Sequence, residues 1–216
     1  MTMHPTDFAS LLCSRLCHDL LSPVGALNNG LELLADEHDP EMRAKCLELL
    51  NESATASANK LKFFRLAFGA AGGFGEEVDA GEAKLAIEGM FIASGRIQLG
   101  WLVSTPTLAK PAIKVMLNLA LIAGDSLVRG GQLDVGAETS AAGTEIVVRA
   151  QGPRMVLDPE LRKVLMGQVA DDAITPRAAP AWLAYSIAKG CGGTVMVSEP
   201  GADFVLFGAN LPHPGK

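Results

Sequence analysis

Apolar residues recur at three- and four-residue intervals over residues 7–37 and predict one long amphipathic helix there. On a wheel of 100° per residue with His18 at zero, Leu12, Leu16, Leu20, Pro23, Leu27, Leu31 and Leu34 fall within roughly 120–220° and form the stripe expected to face a core. Leu11, Ser14, Arg15, Ser22, Gly25, Asn29, Glu32 and Asp36 fall within about 60° of His18, so the histidine points away from that stripe. Asp39-Pro40-Glu41 combines an N-cap with a first-turn proline and predicts a second helix to about residue 68. Its apolar positions include Met42, Cys46, Leu49, Leu50, Leu61, Phe64 and Phe68. Two antiparallel helices cannot bury such a stripe alone. Pairing two hairpins into a four-helix bundle would cover it, so a homodimer is expected.

The segment 69–75 is glycine-rich, with neither a strand before it nor a Lys-Ser/Thr pair behind it, so it reads as a linker rather than a phosphate loop. Beyond it the pattern becomes mixed. Helices are expected over 79–93, 107–127, 158–167 and 180–191, and strands over 96–103, 132–138, 144–150, 194–198 and 203–210. The fold class is α+β, with a helical hairpin over 1–70, a linker over 71–77, and over 78–216 an α/β sandwich whose single mixed sheet carries helices on one face.

Composition narrows the possibilities. Hydrophobic residues make up 49% and charged residues 19%, which favours extensive burial, including a subunit interface. The net charge of −6 and the lack of a basic cluster argue against nucleic acid as a partner. No apolar run reaches the length of a membrane span, and the N-terminus lacks the basic region of a signal peptide. A cytoplasmic protein with no membrane attachment is expected. Cys13 and Cys17 lie one turn apart beside His18, but without further convergent ligands they read, like Cys46 and Cys191, as reduced half-buried thiols rather than a metal site. His4, His38 and His213 read as surface residues.

Pro23 lies five residues after His18, where a helix interior would ordinarily lose about 3 kcal/mol to a proline. A kink or break is expected there. The run His18-Asp19-Leu20-Leu21-Ser22-Pro23 resembles the H-box of sensor histidine kinases, in which the phosphorylated histidine is followed by an acid and then by Ser-Pro or Thr-Pro. A helical hairpin followed by a sandwich also resembles the kinase order of a dimerisation domain and an ATPase (Bergerat) domain. The segments Gly192–Ser198 and Phe204–Phe207 resemble its closing strands. The ATP motifs diverge. Asn118-Leu119-Ala120-Leu121-Ile122-Ala123 keeps the first asparagine of the N-box but has Ile122 where the family holds magnesium, and an aliphatic chain offers a hard cation no oxygen. Ala150 and Arg154 stand where the adenine box has its aspartate and a glycine, and Ala178–Leu183 replaces the second glycine box with a segment containing Trp182.

A complete phosphoacceptor helix joined to a degenerate ATPase domain resembles the ChpT-type histidine phosphotransferases of alphaproteobacteria. That resemblance implies a homodimer that takes a phosphoryl group onto His18 from the receiver domain of a CckA-type hybrid histidine kinase. It implies delivery to CtrA-type and CpdR-type response regulators. No cofactor would be bound, and Mg2+ would arrive with the receiver. Asp19 would orient His18 or accept from its ring, unless it is an ordinary solvated charge. Arg15 would meet the phosphoryl group or a receiver acid, unless it too is solvated. Ser22 would touch phosphoryl oxygens or bond back to the His18 carbonyl. Leu11, Ser14, Arg15, Leu21, Ser22, Gly25 and Asn29 would make the docking face, joined by Leu61 or Phe63 of the second helix. The leucines could instead pack on the second domain or the dimer mate. An autophosphorylating kinase, a non-catalytic pseudokinase dimer that binds receivers, and a sandwich holding another small ligand are the competing readings.

Overall fold

The computed structural model describes residues 3–69, 76–92, 95–170, 173–201 and 203–213. The expected linker lies mostly outside the described residues. Helix α1 (Pro5–Asp36) starts at His4, whose ring nitrogen accepts from the Thr6 amide, and α2 (Pro40–Ala67) starts at Asp39, whose carboxylate accepts from the amides of Glu41 and Met42. In each case a proline fills the first turn, where its missing N–H costs nothing. Helix α1 continues through Pro23, which is buried, without the expected break. Gly30 lets α2 pack closely on α1, because a Cβ there would meet the Leu50 side chain at 2.9 Å.

The second part opens with β1 (Glu77–Asp79) and α3 (Ala80–Ile87), which runs into a π-turn over Glu88–Ile92. Strands β2 (Ile97–Val103) and β3 (Thr107–Ala109) lead to α4 (Lys110–Ser126). Then follow β4 (Gly131–Ser140), β5 (Gly143–Gln151), α5 (Pro159–Leu165), α6 (Ala179–Gly190), β6 (Thr194–Val197) and β7 (Phe204–Pro212). The main sheet has the order β2-β4-β5-β7-β6 and is mixed, with β2 parallel to β4 and the other pairs antiparallel. A separate ribbon, β1 with β3, takes Glu77 out of the expected linker and the first three residues out of the expected helix 107–127.

Alternation along the strands sorts the faces. Leu133, Val135 and Ala137 of β4 and Ile146, Val148 and Ala150 of β5 point inward, whereas Leu102, Val147 and Met196 remain exposed on the outer face. Helix α4 is buried nearly all round, between the sheet and the neighbouring helices. The end of α2 joins the same core. Phe63 is fully buried, edge-on to both Phe64 and Phe91, so its expected place on an exposed docking face is corrected and only Leu61 stays exposed. Two consecutive phenylalanines are buried because α2 ends with α3 and the π-turn on one side and α4 on another. Phe63→Ala is expected to cost about 3–5 kcal/mol, read as a lower denaturant midpoint at unchanged slope.

Candidate phosphoacceptor site

His18 projects from the middle of α1 with 85% of its side chain exposed. Its Nδ1 lies 3.1 Å from Oδ1 of Asp19, and the other oxygen of that carboxylate accepts from Nε of Arg15 at 2.7 Å. Nη2 of Arg15 donates in turn to Asp125, near the end of α4, at 2.8 Å. Asp19 and Arg15 are nearly covered, at 12% and 13% exposure. The site is therefore an open histidine on a sheltered string of charges. A carboxylate can only accept, so this contact calls for the proton on Nδ1, and in the neutral ring that tautomer leaves the lone pair on Nε2.

Pro23 contributes to this geometry. Lacking an N–H, it leaves the carbonyl of Asp19, four residues earlier, without its helical donor. Nζ of Lys60 on α2 supplies the replacement, donating to that carbonyl at 2.8 Å. The proline thereby draws a cation from the neighbouring helix to the residue beside His18. Burial alone would lower the affinity of Arg15 for its proton, but the carboxylates of Asp125 and Asp19 outweigh it and hold the guanidinium above its ordinary value. Burial holds the Asp125 carboxyl above the usual carboxylate range, and the Arg15 guanidinium offsets only part of that rise.

The sequence-derived candidates divide into groups. His18, Asp19 and Arg15 come together, but Arg15 is committed to two carboxylates instead of standing free. Ser14, Leu21, Ser22 and Asn29 are exposed along the same helix, and the Ser22 hydroxyl makes no hydrogen bond among the described residues. Gly25 is half-buried, and a Cβ there would meet nothing within 4 Å. Leu11 is half-buried against the core, and Leu31, expected in the buried stripe, is exposed in the single chain. Cys13 and Cys17 are exposed, not half-buried. Lys60 and Asp125 were absent from the sequence-derived site. The orphan carbonyl behind Pro23 was a usable signal for a donor, although nothing in the chain said which one, and Asp125 left no local signal.

Ile122, Asp125, Pro180 and Arg15 line a cavity of about 20 Å³, room for little more than one water. Trp182, in the segment replacing the second glycine box, packs against Phe8 of α1 with ring centroids 4.3 Å apart. Asn118 is fully buried, and its NH2 group donates to the carbonyls of Ala67 and Lys114 and so holds the end of α2. Among the described residues no three His, Cys, Asp or Glu side chains gather where they could hold a metal ion, and no helix is long and apolar enough to cross a membrane.

An exposed, oriented histidine on a helical hairpin, joined to an α+β domain, is the layout of a phosphorelay protein in two-component signalling. The family model described as "Histidine phosphotransferase C-terminal domain" matches residues 80–203, and the chain belongs to this histidine phosphotransferase family. It is similar to protein phosphotransferase ChpT of Brucella abortus (strain 2308), 32% identical over 207 residues that span 95% of this chain and 97% of the relative. Among solved structures, a bacterial phosphotransferase determined at 1.7 Å superposes with a TM-score of 0.84 at 30% identity, covering 97% of this chain and 98% of the other. The Acinetobacter baumannii histidine kinase AdeS gives a TM-score of 0.46 at 14% identity over 90% of this chain and 97% of that one. The protein is a phosphotransferase.

Proposed function

We propose that Nε2 of His18 takes a phosphoryl group from the receiver-domain aspartate of a hybrid histidine kinase and passes it to response-regulator receivers. The observation that carries this reading is the exposed ring whose Nδ1 is held by Asp19. In the loading step the Nε2 lone pair forms the N–P bond while the acyl phosphate P–O bond breaks, and the aspartate leaves as carboxylate with the electron pair. Positive charge appears on the ring, where Asp19 can balance it. Unloading reverses these bonds onto a second aspartate. Magnesium would come with the receiver in both steps. CckA-type kinases and CtrA-type and CpdR-type regulators are the partners suggested by the likeness to ChpT.

ATP plays no part in this scheme. Ile122 in place of a magnesium ligand and the Trp182–Phe8 packing support that reading. The deciding experiment gives the full chain two phosphoryl sources in parallel, γ-labelled ATP and a labelled receiver domain. Acid-labile, base-stable label should appear from the receiver alone. Label from ATP would establish a kinase, and label from neither would leave a receiver-binding protein without chemistry.

We place the docking face on α1 around His18, with Leu21 and Leu61 supplying exposed apolar surface and Ser14, Ser22 and Asn29 a polar rim. Gly25, two turns beyond His18, would sit beneath the receiver. Gly25→Ala should raise helix stability by about 0.5–1 kcal/mol, whereas Gly25→Trp should slow transfer at least about tenfold, the result of 1.4 kcal/mol of lost docking energy. Equal transfer by both variants would move the receiver off this face. The exposed Leu31, Leu33, Leu47 and Leu49 on the hairpin support the homodimer. Leu31→Glu with Leu47→Glu is expected to halve the mass seen by light scattering.

A further inference from the structure

We infer that Asp125 is a positioning residue for phosphoryl transfer, acting through Arg15 on Asp19 and so on the His18 ring. This rests on the reading of His18 as phosphoacceptor. Asp125 lies in the second part of the chain and does not reach the histidine itself. It reaches Arg15 at 2.8 Å, Arg15 reaches Oδ2 of Asp19 at 2.7 Å, and Oδ1 of the same carboxylate faces Nδ1 of His18 at 3.1 Å. A carboxylate is planar, so fixing one oxygen fixes the other. The orientation of His18 is thus set by whatever holds the guanidinium.

Arg15 is held by a fork, with Nε on one carboxylate and Nη2 on the other, and a guanidinium engaged at two points cannot swing about its flexible stem. Without Asp125 only the Asp19 contact would define it, because the remaining contact, to the Arg177 carbonyl, is long at 3.5 Å. The location of Asp125 also needs explaining. It stands in the last turn of α4, where the helix dipole disfavours an acid and no basic side chain of that turn offsets it. Arg15 from α1, at 2.8 Å, supplies the opposing charge. The hairpin and the second domain meet at this point, so the domain that does not carry the histidine still governs its aim.

A structural tether between domains would show the same ion pair, so the test must separate tethering from aiming. In the full chain, Asp125→Ala and Asp125→Asn should slow loading from a phosphorylated receiver about tenfold, as outer partners of an oriented histidine do. Asp125→Glu, which keeps the charge, should restore most of the rate. In an Asp19→Asn background, Asp125→Ala should cause no further loss, since its effect runs through Asp19. Nitrogen-15 shifts of His18 should show a smaller share of the Nδ1–H tautomer in Asp125→Ala than in the parent chain. Multiplying rate losses in the double variant, or an unchanged tautomer ratio, would overturn the inference even if the single variants are slow. Should Asp125→Ala fail to fold, Asp125→Asn carries the same comparisons. A parent chain that takes no label removes the phosphotransfer reading, and the tautomer measurement then still decides whether Asp125 orders the ring.

Discussion

His18→Ala and His18→Gln are each expected to abolish label transfer from a phosphorylated receiver, with no residual histidine phosphate. No other histidine can substitute. His4 caps the far end of α1, and His38 lies beyond its other end, about 27 Å away at 1.5 Å per residue. His213 follows β7, where its ring bonds the Ser140 carbonyl. Glutamine keeps polarity and approximate size but has no nucleophilic nitrogen, so a matched loss in both variants identifies the chemistry and not the packing. With 85% of the side chain in water, either change should leave stability within about 0.5 kcal/mol of the parent. An unaltered melting curve therefore accompanies the expected loss. Label retained by His18→Ala would place the acceptor elsewhere.

The hairpin was legible because its signals are local. Asp39-Pro40 marks a helix start by capping chemistry alone, and the heptad-like spacing of leucines separates the His18 face from the opposite one. The strands of the sheet were legible for the same reason, since β4 and β5 alternate cleanly. What failed was burial that depends on distant neighbours. Leu31 obeys the stripe, yet it is 57% exposed. Phe63 lies off the α2 stripe, but it is buried in the shared core, where Phe91 of the π-turn meets its ring edge-on. The ribbon of β1 and β3 has three residues per strand, too few for any period to show.

The candidate site shows the same division. His18, Asp19 and Pro23 form a contiguous motif with its own chemistry. Arg15 was found on the wheel, but its partners were not. The ion pair with Asp125 spans 110 positions, and a charge at the end of an apolar helix has no spacing rule that points to its mate. Lys60 is an intermediate case, because Pro23 announces an orphan carbonyl but leaves the donor open. Helical phase alone would have offered Arg15 to the receiver. The folded chain uses it internally, which leaves the exposed surface near the histidine to smaller groups.

Asp19→Asn should slow transfer about 100-fold, the lower end of what a positioned acid–base partner supplies. The carboxylate accepts twice, from the ring at Oδ1 and from Arg15 at Oδ2. An amide has one acceptor and one donor, so it can satisfy only one of those neighbours. If its oxygen serves Arg15, its NH2 faces Nδ1 and favours the tautomer with the proton on Nε2, which removes the attacking lone pair. If its oxygen serves the ring, the NH2 meets the guanidinium and both donors lose a partner, which costs about 1–3 kcal/mol of stability. Both arrangements also remove the negative charge that balances the phosphorylated ring, so loading and unloading should slow together. Single-turnover rates in each direction, measured against a phosphorylated donor receiver and an unphosphorylated acceptor, separate this from a docking defect, which would raise the receiver concentration needed at half-maximal rate. Parent-like rates in Asp19→Asn would reduce Asp19 to a tether for Arg15 and leave His18 to be aimed by the receiver.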